Sequence, residues 1–118
     1  MHVQDYCIKL LAYEHVEQFM GLCLDNHNRL IVEETMSIGS INQTTVNPSD
    51  VVNSTINHYE RSVVLVHNHP SEESKPSQSD FAVTRAIKKA LTVMGITLHY
   101  HLIIADTKYV SLKSLSHC

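Results

Sequence analysis

The stretch from Val63 to Asp80 constrains the fold more than any other part of the chain. Val63–Val66 is a short apolar run rich in β-branched residues, which is typical of a buried strand. His67 and His69 follow. Because side chains alternate faces along a strand, both imidazoles should point the same way. Pro70 removes a backbone donor and should end the strand.

A helix should begin soon after this strand. Ser77, followed three residues later by Asp80, resembles a capping box, and Gly95 supplies a stop after Met94. The apolar stripe of this helix should face the core and consists of Val83, Ala86, Ile87, Ala90, Leu91 and Met94. The spacing of Asp80 from this stripe places its carboxylate on the core-facing side, near the end of the strand.

Two imidazoles and one returning carboxylate form the N,N,O ligand set of a catalytic zinc site, which leaves a fourth position for water. The sequence therefore predicts Zn²⁺ at His67, His69 and Asp80. An ordinary helix cap and two polar residues at a strand end would explain each part separately. With nine histidines in the chain and a second pair at His99 and His101, an H-x-H pattern alone is weak evidence. The combination in one short span favours the metal site.

Hydrolysis at such a site also needs a base for the water proton. The candidates are Glu14, Glu17, Glu33 and Glu34. Glu17 is favoured because it opens a strand that could lie beside the central one, while Glu33 and Glu34 stay as alternatives. The Ser77 hydroxyl could hydrogen-bond the water or the developing oxyanion, as well as or instead of capping the helix.

The remaining elements are assigned from hydrophobic periodicity and turn residues. They are a helix over Asp5–Tyr13, a strand within Glu17–Asp25, a hairpin partner over Leu30–Ile38, a helix from Asn47-Pro48 to about Tyr59, and strands over Ile96–Ala105 and Tyr109–Leu112. The segment Gly39–Val46 is polar and irregular. The order α-β-β-α-β-α-β-β predicts an α+β fold, an α/β sandwich in which helices flank a mixed sheet.

The bulk composition narrows the protein class. A length of 118 residues with 43% hydrophobic content predicts one globular domain over residues 1–118. The net charge of −3 argues against direct nucleic-acid binding, and the local basic group of Arg85, Lys88 and Lys89 is interpreted as a solvated helix face. Three cysteines without a C-x-x-C pattern, and no signal or membrane-spanning pattern, predict a cytoplasmic protein.

The motifs along the chain resemble those of the RadC family, a bacterial branch of the JAMM (MPN-type, JAB-domain) metalloprotease superfamily. The matching segments are Glu17-Gln-Phe19 with Leu22 and Leu24-Asp25, Gly39-Ser40, His67-Asn-His-Pro-Ser71, Pro76-Ser77-Gln-Ser-Asp80 and His101-Leu-Ile-Ile104. Together they span about residues 17–115. This combined pattern is far more specific than any single H-x-H.

The resemblance implies a cytidine-deaminase-like JAMM/MPN fold and a zinc hydrolase that cleaves a peptide or isopeptide bond in a protein or peptide substrate. It implies His67, His69 and Asp80 as metal ligands, Glu17 as the catalytic acid–base and Ser77 as a transition-state donor. Two positions depart from the family pattern. Glu72 replaces a glycine, and Tyr100 replaces an aspartate beside His101.

A second function belongs to a different class: a non-catalytic, metal-bearing module associated with DNA repair or recombination. The family name carries that association, and other members of the superfamily fold are inactive scaffolds. An intact ligand set favours the hydrolase. The helical, DNA-binding-like region that often precedes this domain in the family is not expected in residues 1–118. The substrate and the oligomeric state, a dimer among the alternatives, stay open.

Overall fold

The described part of the chain forms a five-stranded mixed sheet and three helices. The computed structural model describes residues 3–25, 27, 29–39, 47–57, 62–70 and 77–112, the side chains of 48 and 54–57 excepted. The elements are α1 (Val3–Leu11), β1 (Gln18–Leu24), β2 (Leu30–Ile38), α2 (Pro48–Asn57), β3 (Ser62–Asn68), α3 (Gln78–Val93), β4 (Thr97–Ala105) and β5 (Lys108–Ser111). This order and the mixed sheet confirm the predicted α+β fold class.

The strands lie in the order β2-β1-β3-β4-β5. β3 and β4 are parallel, with α3 as their crossover, and the other neighbours are antiparallel. β3 is buried along its whole length at the centre of the sheet. This position explains its run of valines, since a strand covered on both faces has no polar side to alternate with.

Each face of the sheet carries its own core. On one face, α1 joins the sheet in a cluster that comprises Cys7, Leu11, Met20, Leu22, Leu24, Val64, Val66, Leu102 and Ile104. On the other face, α2 and α3 join the sheet in a cluster that comprises Phe19, Cys23, Val51, Val63, Leu65, Val83, Ile87, Leu91 and Ile96. Side chains along β1 alternate between the two clusters. By the same alternation His67 belongs to the α3 face, two residues beyond Leu65.

The helix α3 begins where the sequence indicates. Ser77 is the N-cap, a capping box with Asp80 is present, and Gly95 follows with a φ of +74°, a conformation that glycine adopts without strain. The predicted stripe is wrong at one end, because Met94 is 52% exposed. The buried side is instead formed by Asp80, Val83, Thr84, Ile87 and Leu91. The helix is therefore turned so that a polar residue, Thr84, packs inward.

The other boundaries differ from the predictions by a few residues, as with α1 (Val3–Leu11) against the expected Asp5–Tyr13. Some predicted features lie outside the described residues. They are the irregular segment Gly39–Val46 beyond Gly39, the end of the second helix at about Tyr59, and the position of Glu72. Among the helices that the structure describes, none combines the length and apolar character that a bilayer span requires.

Candidate metal centre

Three predicted ligands meet at the junction of β3 and α3. Nε2 of His67 lies 3.1 Å from Nε2 of His69 and 3.1 Å from Oδ1 of Asp80. Nε2 of His69 lies 3.3 Å from Oδ2 of Asp80. His67 and Asp80 are buried, and the His69 side chain is 15% exposed. The strand end and the first helical turn thus bring two imidazoles and one carboxylate together, as the sequence predicts.

These spacings fit a tetrahedral metal ion. Zinc ligands at about 2.0–2.1 Å in tetrahedral geometry are about 3.3 Å from one another. The His67–His69 separation lies within about 0.2 Å of that value, and so does the separation from each imidazole to one Asp80 oxygen, His67 to Oδ1 and His69 to Oδ2. The lone pairs of nitrogens and carboxylate oxygens at these distances need a cation or protons between them. The donor set is therefore chemically suited to a metal ion.

Asp80 has a second role in the same position. Its carboxylate Oδ2 accepts a hydrogen bond from the backbone N–H of Ser77 at 2.7 Å, and the backbone N–H of Asp80 donates to Ser77 Oγ at 3.0 Å. Burial opposes ionisation of Asp80, but its contacts with the His67 and His69 rings outweigh it and hold the pKa of this carboxyl well below its usual range. The Asp80 carboxylate is thus part of the helix cap and also part of the ligand group, the cluster that it forms with His67 and His69.

Glu17 completes the group. One ligand atom each from Glu17, His67, His69 and Asp80 lies within 4.8 Å of the other three. Burial raises the pKa of the Glu17 carboxyl above its ordinary value, although the two imidazoles act in the opposite direction. A carboxylate with a raised pKa, beside a cation site, is suited to accept a proton and to return it.

The alternative glutamates lie elsewhere. Glu33, in β2, pairs with Leu22 of β1 and contacts Tyr6 on the α1 side of the sheet. Glu34 is opposite Gly21, four residues along β1 from Glu17, which corresponds to about 13 Å. Among the described residues, the group suited to a metal includes Glu17 and not these two.

Asn68, between the two histidines, holds the backbone on both sides of Glu17. It is 2% exposed. Its Oδ1 accepts from the backbone N–H of Gln18 at 2.6 Å, and its Nδ2 donates to the carbonyl of Val16 at 3.1 Å. Sequence reasoning assigned no role to this residue. Strand alternation alone places Asn68 on the face opposite the two histidines, and a buried amide there needs hydrogen-bond partners.

His101 is the second residue near the site, after Asn68, to which the sequence assigned no definite role. It is fully buried, and its Nε2 lies 2.7 Å from Nδ1 of His67. Phe19 packs edge-on against His101, with ring centroids 5.6 Å apart. Tyr100, which replaces the family aspartate, belongs instead to the α1 side of the sheet. That departure from the family pattern is therefore directed away from the ligand group.

His69 is the most exposed of the three proposed ligands, with 15% of its side chain accessible. A cleft of about 280 Å³ borders it on the α1 side of the sheet, together with Asn68, Pro70 and the segment that follows α1, including Glu14. The exposed N-cap Ser77 stands on the helix side of the same site. Its Oγ accepts from Asp80 N–H, so its hydroxyl hydrogen can still donate to another acceptor.

Comparison with known proteins assigns the chain to a family, and two matches agree on it. A family model described as a RadC-like JAB domain matches residues 1–117. The UPF0758 protein Mbar_A2303 of Methanosarcina barkeri is 41% identical over 97 residues, which cover 82% of this chain and 42% of that protein. The chain thus spans about two-fifths of the length of this curated relative. The JAB-domain family includes metal-dependent hydrolases. On the extent of both matches, the chain belongs to the RadC-like JAB-domain family.

Proposed function

We propose that the chain is a zinc-dependent hydrolase that cleaves a peptide or isopeptide bond with a metal-activated water. The observation that carries this proposal is the convergence of His67, His69 and Asp80 on one point with the Glu17 carboxylate beside them. Family membership supports it, because the JAB-domain family includes metal-dependent hydrolases. The proposed partner is a protein or peptide substrate.

The donor set supports zinc as the metal. Imidazole suits several transition metals, but two imidazoles plus one carboxylate at tetrahedral spacing, with one position left for water, is the pattern of catalytic zinc sites. When bound, zinc lowers the pKa of a bound water to about 7 and polarises a carbonyl oxygen.

The residues of the chain divide the remaining chemistry. Glu17 takes a proton from the attacking water as the new C–O bond forms. It then delivers that proton to the leaving nitrogen as the C–N bond breaks, so the same carboxylate is base and acid in turn. Ser77 donates its free hydroxyl hydrogen to the developing oxyanion.

Oxygen labelling tests the proposal. Zinc-loaded protein is incubated in ¹⁸O-water with a peptide pool and with a pool of peptides joined through lysine ε-amino groups, and products are analysed by mass spectrometry. The wild type should release fragments that carry one ¹⁸O in the new carboxyl group. Glu17→Gln should keep its zinc, but its cleavage rate should fall by about 10²–10⁴-fold, because the general base is removed.

Glu33→Gln is the matched control, since Glu33 lies on the α1 side of the sheet and should leave the rate unchanged. Equal rates in wild type and Glu17→Gln at equal zinc content would contradict the proposed role of Glu17. A zinc-loaded wild type that cleaves nothing in either pool, yet shifts DNA in a salt-dependent way that Glu17→Gln does not alter, would favour the DNA-repair binding module instead.

A further inference from the structure

A chain of hydrogen bonds runs behind the ligand group, on the side away from the metal. Nδ1 of His67 contacts Nε2 of His101 at 2.7 Å, and Nδ1 of His101 contacts Oγ1 of Thr84. Oγ1 of Thr84 donates to the backbone carbonyl of Asp80 at 2.7 Å. His67, His101 and Thr84 are all fully buried, so water cannot substitute for these contacts.

The direction of each hydrogen bond follows from counting hydrogens. The carbonyl of Asp80 can only accept, so the single hydroxyl hydrogen of Thr84 is used there. The Thr84 oxygen must then accept from His101, which places the His101 proton on Nδ1. His101 is fully buried, and its hydrogen-bond partners, His67 and Thr84, offer it no carboxylate, so the ring is neutral. A neutral imidazole has one N–H, so Nε2 of His101 accepts and Nδ1 of His67 must donate.

This direction leaves the opposite nitrogen of His67 free for a metal. With its proton on Nδ1, His67 presents the Nε2 lone pair to the point where His69 and Asp80 converge. We propose that Thr84 and His101 are positioning residues that set the tautomer and ring orientation of His67 for metal binding. The inference rests on the metal site of the proposed function and adds two residues to it.

This chain of hydrogen bonds from Asp80 through Thr84 and His101 to His67, called the relay below, also connects the two elements that supply the proposed ligands. It begins on the backbone of Asp80 in the first turn of α3, passes through β4, and ends on His67 in β3. The strand ligand and the helix ligand are therefore linked twice, once directly and once through Thr84 and His101. Groups that orient a ligating histidine in this way are typically worth 10–100-fold in metal affinity.

Paired variants test the relay. His101→Leu removes the acceptor, whereas His101→Gln can keep an amide oxygen near the position of Nε2. Thr84→Val removes the hydroxyl, and Thr84→Ser restores it. His99→Leu, on the same strand but outside the relay, is the matched control. Zinc affinity is measured by competition with a chromogenic chelator, and unfolding by urea confirms that each variant is folded.

The expected result is a 10–100-fold loss of zinc affinity in His101→Leu, a loss in Thr84→Val, and recovery in His101→Gln and Thr84→Ser. His99→Leu should match the wild type. Zinc affinities equal to wild type in folded His101→Leu and Thr84→Val would overturn the proposal. If His101→Leu does not fold, the Thr84→Val and Thr84→Ser pair decides.

A second measurement separates this inference from the proposed function. Long-range ¹⁵N NMR of the metal-free protein should find a proton on Nδ1 of His67 and none on Nε2 of His101. The reverse arrangement would overturn the relay whatever the zinc affinity. A wild type that binds no zinc but shows the expected protons would contradict the metal site and leave the relay intact.

Discussion

Asp80 is both the helix cap and a proposed metal ligand, and two substitutions separate these roles. Ser77→Ala removes the hydroxyl that accepts from Asp80 N–H. Asp80→Asn keeps a carbonyl oxygen that can accept from Ser77 N–H but removes the negative charge at the metal. The first variant should therefore lose stability but keep its zinc binding, and the second should lose zinc binding.

The magnitudes follow from the cap and from the chain length. Loss of an N-cap side chain costs about 1 kcal/mol. The unfolding entropy of 118 residues is about 0.25 kcal/mol/K. Ser77→Ala should therefore melt about 4 °C below the wild type in the presence of a chelator. With free zinc buffered at 100 times the wild-type Kd, binding adds about 2.7 kcal/mol, or about 11 °C, to wild type and Ser77→Ala alike.

Asp80→Asn should respond differently to zinc. Loss of a directly bound ligand should weaken affinity by at least about a hundredfold, the upper end of what loss of a merely supporting group costs. The same free zinc then adds about 0.4 kcal/mol, or less than about 2 °C. Calorimetry in zinc-buffered and chelator-treated samples measures all three proteins. Equal zinc-dependent gains in Asp80→Asn and wild type would show that Asp80 is a cap and not a ligand.

Three further predictions concern the groups around the site. Asn68→Ala removes the side-chain partner of part-buried backbone groups on both sides of Glu17, so urea unfolding should show a loss of about 1–2 kcal/mol, with the ligand atoms untouched; an unchanged free energy of unfolding would contradict this role of Asn68. The lowered pKa of Asp80 stabilises the metal-free fold above the unfolded pKa of about 3.9, so wild type should lose stability as pH falls below about 4, and Asp80→Asn should not show that loss. Burial raises the pKa of the Cys7 thiol to about 12, so a thiol reagent should modify Cys7 only after denaturant is added; rapid modification of native protein at Cys7 would refute this.

The ligand group could be predicted from sequence because its geometry is local. His67 and His69 share a face by strand periodicity, and Asp80 returns through a helix start that follows shortly in the chain. No long-range information is needed to bring these three together. Glu17 required one tertiary assumption, that β1 pairs with β3, and the structure shows this pairing, with Phe19 opposite His67.

The relay could not be predicted, because it depends on register and helix rotation. The alternation of residues along a strand does not distinguish His99 from His101. Only the pairing of β4 with β3, with its irregularity at Val63 and Val64, places His101 opposite Leu65 and beside His67. Thr84 is polar, so a hydrophobic stripe ignores it. Its burial follows from the rotation of α3 that also exposes Met94.

The position of the site suits the proposed chemistry. The proposed ligands lie at the carboxyl end of β3 and at the N-terminus of α3, where a parallel crossover brings a strand end and a helix start together. Both elements are anchored by buried apolar residues. The proposed ligands thus belong to regular elements. The backbone on both sides of Glu17, at the start of the adjacent strand, is held by hydrogen bonds to the Asn68 side chain.

A crystal structure of zinc-soaked protein, with diffraction data collected on both sides of the zinc absorption edge, tests the metal centre most directly. The expected result is one strong anomalous peak at about 2.0–2.2 Å from Nε2 of His67, Nε2 of His69 and a carboxylate oxygen of Asp80. A peak bound by other residues, or no peak at this point in crystals that hold zinc elsewhere, would contradict the account.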